Sequence, residues 1–275
     1  MRRLIQIELQ KLLLSKTNRV LIFISFLLPL TILILASIKI NFFGFFTLEL
    51  GQLGIFNFPI IWHISTFCAS YFKLFFAIVV VSMIGNEYSN KTIKQNLIDG
   101  LSKTEFILSK FYTILLFSFL ATVLIAVTTF FIGLYYSAYT EAAIIFRETE
   151  FLLAYFLKLV GFFTLCLFFA LLLKRSAFAL AFLFVLYLAE WLVFWGAYKI
   201  FGTTEMAFKI KGFLPLESIY NLINQPLNRV ILTKFPDKTE LAYDYDVHFH
   251  EIIIVVIWTA LCVFFSIRLL KKRDL

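Results

Sequence analysis

The chain has 275 residues, of which 61% are hydrophobic, 19% aromatic and only 15% charged, with a net charge of +8 and a mean hydropathy of +0.92. A soluble domain carries about 25% charged residues, and a large core does not remove that need, so sandwich and doubly wound soluble folds are excluded. The apolar residues gather into long runs, as in a chain whose solvent is lipid, so the excess of bases reads as membrane orientation and not as nucleic-acid binding.

In chain order, Met1 to Leu14 come first, with Leu4, Ile5, Leu9, Leu12 and Leu13 along one helical face and Arg2, Arg3, Gln6, Gln10 and Lys11 over much of the rest. This predicts an amphipathic helix on the inner leaflet; the plainer reading is an extension of the first span. Six spans follow, at about 20–38, 60–84, 111–135, 151–173, 177–198 and 252–270, each near the ~20 residues that cross hydrocarbon. Pro29 interrupts the first, which neighbouring helices in a membrane tolerate. That first run is read as a retained anchor and not a signal peptide: its charged flank reaches Arg19, it exceeds the usual ~7–15 apolar residues, and no A-x-A site follows. Cys68, Cys166 and Cys262 all fall inside apolar runs without metal-ligand spacing, so neither a disulfide nor a metal is expected.

Orientation follows from the basic flanks. With the N-terminus inside, segments 1–19, 85–110, 174–176 and 268–275 hold fifteen Lys and Arg against five acids, and the outer segments hold eight bases against eleven acids. The reverse orientation places the tail Lys271-Lys272-Arg273 outside. The expected fold is therefore an all-α integral membrane protein with six transmembrane helices, both termini cytoplasmic, forming one transmembrane domain over 1–275 with an outer loop at 201–251.

The connection between spans two and three reads GNEYSNKTIKQNLIDGLSKTEFILSK. Ile93, Leu97 and Leu101 recur at helical spacing, Gly100 is a helix stop, and Ser102-Lys103-Thr104-Glu105 is a capping box that opens the next helix. A bare connection needs ~2–8 residues, so most of this segment is folded, which points to a partner on its side of the membrane.

The stretch Asn86-Glu87-Tyr88, Lys91-Thr92-Ile93, Leu97, Gly100-Leu101-Ser102-Lys103, ending at Lys110, resembles the cytoplasmic loop of ABC-2-type transporter permeases. The six-span order and amphipathic N-terminal helix are similar too, so the resemblance covers nearly the whole chain. One departure is Lys91, where glycine is common. The resemblance implies a coupling helix docked on a separate ABC ATPase subunit, with Thr92, Ile93, Gln95, Asn96 and Leu97 facing that subunit and Glu87 at the base of span two. It also implies pairing with a second permease copy as a homodimer or heterodimer, residence in the inner (cytoplasmic) membrane, and export of peptides, lipids, polysaccharides or drugs. The sequence has no G-x-x-x-x-G-K-[ST] phosphate loop, so the expected protein is no enzyme, needs no cofactor of its own, and draws on ATP hydrolysis elsewhere to export an amphipathic or lipid-like substrate.

Lys73, Lys158 and Glu190 lie within spans, where each charge costs roughly 2.5–3.5 kcal/mol unless it faces protein or water. Lys158 and Glu190 fall at matching depths on adjacent antiparallel helices, and read either as an ion pair locking spans four and five or as the polar lining of a path. Lys73 has no partner legible in the sequence. In the outer loop, residues 213–223 are a candidate short amphipathic helix or a partly ordered cap. Asp244, Asp246, His248 and His250 would share one face of an extended segment, giving either an interfacial strand or a divalent-metal site; no metal is assigned. The rival class is a membrane scaffold or an intramembrane enzyme, but H-E-x-x-H is absent and His63 sits near a span end without a buried serine partner.

Overall fold

The computed structural model describes residues 2–38, 40–42, 46–48, 54–90, 92–98, 100–139, 141–234 and 245–273. Its architecture is helical, with one short antiparallel hairpin of β1 (Ile40–Phe42) and β2 (Phe46–Leu48). The N-terminal segment forms α1 (Arg2–Leu14), which ends at Ser15. The Ser15 hydroxyl accepts from the Asn18 backbone N–H at 3.4 Å and caps α2 (Lys16–Ser37), so α1 is a separate helix and not a straight extension of the first span. Its Glu8 and Leu12 are buried against the protein, whereas Leu13 and Leu14 are exposed.

The expected second span is divided into α3 (Ile60–Ser70) and α4 (Lys73–Ser89), bent by 45°. No proline sits at the break. Thr66 and Ser70 hydroxyls donate back to the carbonyls of Trp62 and Phe67, both at 2.7 Å, a contact that bends helices. At Tyr71 and Phe72 the backbone bonds tighten to i→i−3 spacing, onto Cys68 and Ala69.

After α4 come α5 (Thr92–Ile98) and the long α6 (Lys103–Tyr136). Gly100 takes φ +96° between them, and the capping box is complete: Ser102 Oγ accepts from Glu105 N at 3.1 Å while Glu105 Oε2 accepts from Ser102 N at 3.0 Å. A short α7 (Ala142–Ile145) precedes α8 (Glu150–Leu173), which is followed by α9 (Ser176–Phe201). Then come α10 (Thr204–Gly212), α11 (Pro215–Asn221), α12 (Leu227–Lys234) and α13 (Phe249–Lys271).

Five stretches are long and apolar enough to cross a membrane: α2, α6, α7 with α8, α9 and α13; the α3–α4 pair adds a sixth if it is one bent span. The chain is thus a multi-pass membrane protein. The fourth expected span is its axis: 72% of its most apolar stretch is buried inside the protein, against 17–28% in the other four. Helices α3, α4, α6, α9 and α13 all pack on α8, and their outward faces carry exposed residues such as Phe131, Phe184, Leu192 and Phe264, as lipid-facing surfaces require. Small residues set two close approaches: a Cβ on Gly133 of α6 would fall 2.3 Å from the Phe58 ring, and one on Gly85 of α4 would fall 3.1 Å from Cβ of Ser176 at the start of α9.

Candidate functional site

The three ionisable residues expected inside spans converge on one region, around α11. Lys158 of α8 is buried, and its ammonium donates to the carbonyls of Tyr220 at 3.1 Å and Ile223 at 3.3 Å. Glu190 of α9 is also buried, and its two carboxylate oxygens accept from the backbone N–H groups of Leu216 at 2.8 Å and Glu217 at 2.9 Å. The two charges therefore do not meet. They hold the opposite ends of α11, the anion at its N-terminus and the cation at its C-terminus, as the helix dipole favours, and they satisfy backbone groups that a helix end leaves unpaired. Pro215 at the first turn begins the helix without losing a hydrogen bond. Trp258 of α13 adds a third anchor, donating from Nε1 to the Phe213 carbonyl at 2.8 Å.

Beneath α11 lies a cavity of about 820 Å³, walled by α3, α4, α8, α9, α10 and α11. Its lining is mostly apolar and aromatic, with Phe162, Leu183, Phe184, Tyr187 and Trp191 prominent, and it carries Lys73, Lys158, Lys211 and Glu217. Lys211 is committed: its ammonium pairs with Glu217 at 2.8 Å and rests 4.1 Å from the centre of the Trp191 ring. Lys73 is the first residue of α4, so the bend in the α3–α4 pair delivers it to the cavity wall. Its ammonium lies 4.6 Å over the Phe162 ring. A ring face returns about 0.5–2 kcal/mol, less than the roughly 2.5–3.5 kcal/mol of placing the charge in hydrocarbon, and the cavity lies beside it.

At the opposite end of the bundle, α1, α4 and α6 are joined by buried charges. Lys110 of α6, 1% exposed, binds Glu8 of α1 through a very short contact and Glu87 of α4 at 2.6 Å. Lys11 reaches the same Glu87 oxygen at 3.2 Å. The neighbouring Tyr88 hydroxyl accepts from Arg273 at 2.7 Å, and the same guanidinium caps the end of α8 through the carbonyls of Leu171 and Leu172 at 2.6 and 3.0 Å. The acidic–aromatic pair at the end of α4 thus fastens both chain-terminal segments to the root of α5.

Within α5, Gln95 is exposed and Thr92, Asn96 and Leu97 are half-buried. Ile93, expected to face a partner, is 2% exposed and packed into the protein's own core. The apolar residue that α5 does present is Ile98, 81% exposed. Lys91 lies outside the described residues.

The sequence reading passed over Glu8 and Lys110, although both interrupt apolar stripes at helical spacing: Glu8 between Leu4 and Leu12, Lys110 between Phe106 and Ile114. His63 is buried with both ring nitrogens engaged, Nε2 on the Asn224 carbonyl at 2.7 Å and Nδ1 facing Arg229 at 3.4 Å, and its ring stacks on Phe151 at 4.3 Å. Arg229 in turn binds Glu148 at 2.5 Å. Those contacts make His63 a positioning group for the outer connections. Of the candidate Asp and His cluster, Asp244 lies outside the described residues, His250 is already inside α13, and no group of three or more metal-binding side chains occurs among the described residues.

A family model described as "Protein of unknown function (DUF2705)" matches residues 51–275, which takes in every wall of the cavity and α5 but not α1 or α2. None of the curated proteins compared with the chain matches it.

Proposed function

We propose, for a chain that belongs to the DUF2705 family, that it is the membrane permease of an exporter powered by a separate ATP-hydrolysing subunit. One observation carries this reading: the connection between α4 and α6 is a folded element, closed by Gly100 and the Ser102–Glu105 capping box, that leaves Ile98 and Gln95 uncovered. An exposed isoleucine on a short, well-terminated helix is a docking feature, since a bare linker needs neither the helix nor its caps.

In this reading α5 is the coupling helix, cytoplasmic like α1 and Arg273, and the α3–α4 pair is one crossing among six. Closure of the ATPase displaces α5. Glu87, at the root of α5, passes that displacement to α1 and α6 through Lys11 and Lys110, and α4 carries it to the bend where Lys73 borders the cavity. An amphipathic substrate in that cavity then meets a changed opening. Two copies of the chain in the inner membrane complete the pathway.

The test is affinity purification of the full chain from native membranes in mild detergent. The wild type should retain an ATP-binding cassette protein and ATP hydrolysis in the eluate. Ile98→Asp with Gln95→Asp should cut both at least tenfold while Ile93 and the fold stay intact. Undiminished association in that double variant would remove α5 as the docking element.

A further inference from the structure

We propose that the cavity under α11 binds an anionic amphiphile, with the anionic head at Lys73 and the apolar body along Phe162, Leu183 and Phe184. The lysines of the wall are not equivalent. Lys158 gives two of its donors to the C-terminal end of α11, at Tyr220 and Ile223. Lys211 is neutralised by Glu217. Lys73 has a ring face for company and no acceptor among the described residues, so it is the cation with a charge to give. Among the described residues Glu217 is the only acid of the lining and is already paired, which leaves the wall with an excess of positive charge and no site for a cationic head.

Size and lining agree with an amphiphile. At about 820 Å³ the cavity lies within the ~300–1,000 Å³ range of pockets that enclose a drug-sized ligand, and its apolar residues far outnumber its polar ones. A small hydrated anion would leave those walls unfilled, whereas a neutral amphiphile would leave Lys73 without a counter-charge. The inference rests on the permease reading for the passage of this ligand, but the binding step is measured without any ATPase.

Trp191 lines the cavity, so brominated ligands that enter it quench its fluorescence. Purified full chain in a neutral detergent is titrated with 9,10-dibromostearate and, separately, with its uncharged methyl ester; subtracting the Trp191→Phe titration isolates the cavity signal. The anion should bind at least tenfold tighter than the ester. Lys73→Gln should erase that difference and Lys73→Arg should keep it. Leu183→Phe, which fills the cavity and keeps every charge, should weaken both probes. Equal binding of anion and ester by the wild type, or an anion preference that survives Lys73→Gln, overturns the proposal. Mass spectrometry of extracted lipid separates the two sources of such a ligand: an anionic lipid that copurifies stoichiometrically and resists exchange with dibromostearate is a resident of the bilayer, and one that exchanges freely is cargo. Failure of the ATPase association with anion binding intact would remove the exporter reading alone.

Discussion

Lys110 is buried, and two carboxylates from other helices meet its side chain there. Removing one partner of such a buried set leaves an uncompensated charge, which costs roughly 3–5 kcal/mol. Lys110→Met should therefore strip Glu8 and Glu87 of their shared cation and lower the thermal transition of the detergent-solubilised protein sharply. Lys11→Met should cost under about 1 kcal/mol, because the Lys11 side chain is 39% exposed and exposed pairs are weak. Equal losses in the two variants would refute the network. The glycines give a second contrast at this scale. Gly133→Ala drives a methyl group into the Phe58 ring and should destabilise by about 1–3 kcal/mol. Gly196→Ala meets nothing within 4 Å in α9 and should be neutral or stabilising by up to about 1 kcal/mol. Local chemistry of this kind was legible where it is local: Ser102 and Glu105 lie three residues apart, and their hydrogen bonds follow from that spacing alone. Glu8, Glu87 and Lys110 are separated by whole spans, so the sequence shows each as a polar interruption and cannot show that they meet.

The helix expected at 213–223, on or re-entering the outer leaflet, is present as α11 (Pro215–Asn221) and is built into the bundle. Its clamps, Glu190 and Lys158, lie on α9 and α8, and their matching depth suggested a mutual ion pair. The insertion of α11 between them replaces one long-range pair with four backbone hydrogen bonds. Hydrogen bonds to charged groups contribute about 1.5–3 kcal/mol. Glu190→Leu should thus raise amide exchange across residues 214–223 roughly tenfold to a hundredfold, with Glu190→Gln intermediate because an amide still offers one acceptor. Unchanged exchange in Glu190→Leu would mean that α11 is held by Trp258 and apolar packing alone. The division of the second span was illegible for a related reason. Its run from Ile60 to Ile84 is free of glycine and proline and carries one lysine, Lys73, and hydropathy does not register the back-bonding hydroxyls of Thr66 and Ser70 beside the bend.

At the scale of the molecule, the arrangement of ends limits the number of crossings. Glu8 near the start of the chain, Glu87 and Lys110 flanking α5, Ser176 at the start of α9 and Arg273 near the end are linked at one pole of the bundle. Phe58, Ser137, Ile145, Asn224 and Arg229 are linked at the other. An odd number of crossings would leave the two chain-terminal segments at opposite poles, so this arrangement supports the proposed reading of the α3–α4 pair as a sixth crossing beside the five long helices. A re-entrant α3–α4 pair would instead put α5 and α1 on opposite faces of the membrane, tearing apart the Glu8–Lys110–Glu87 contacts. In the proposed orientation the pole with the basic flanks faces the cytoplasm. In a background with Cys68, Cys166 and Cys262 replaced by alanine, single cysteines at Arg3, Ile98, Lys272 and Met206 sit on exposed positions and report this directly. A membrane-impermeant maleimide applied to intact cells should label Met206→Cys and spare the other three, and permeabilised cells should label all four. Labelling of Ile98→Cys without Arg3→Cys would make α3–α4 re-entrant and would end the coupling-helix reading, because a docking face for a cytoplasmic ATPase must share its side of the membrane with the basic segments.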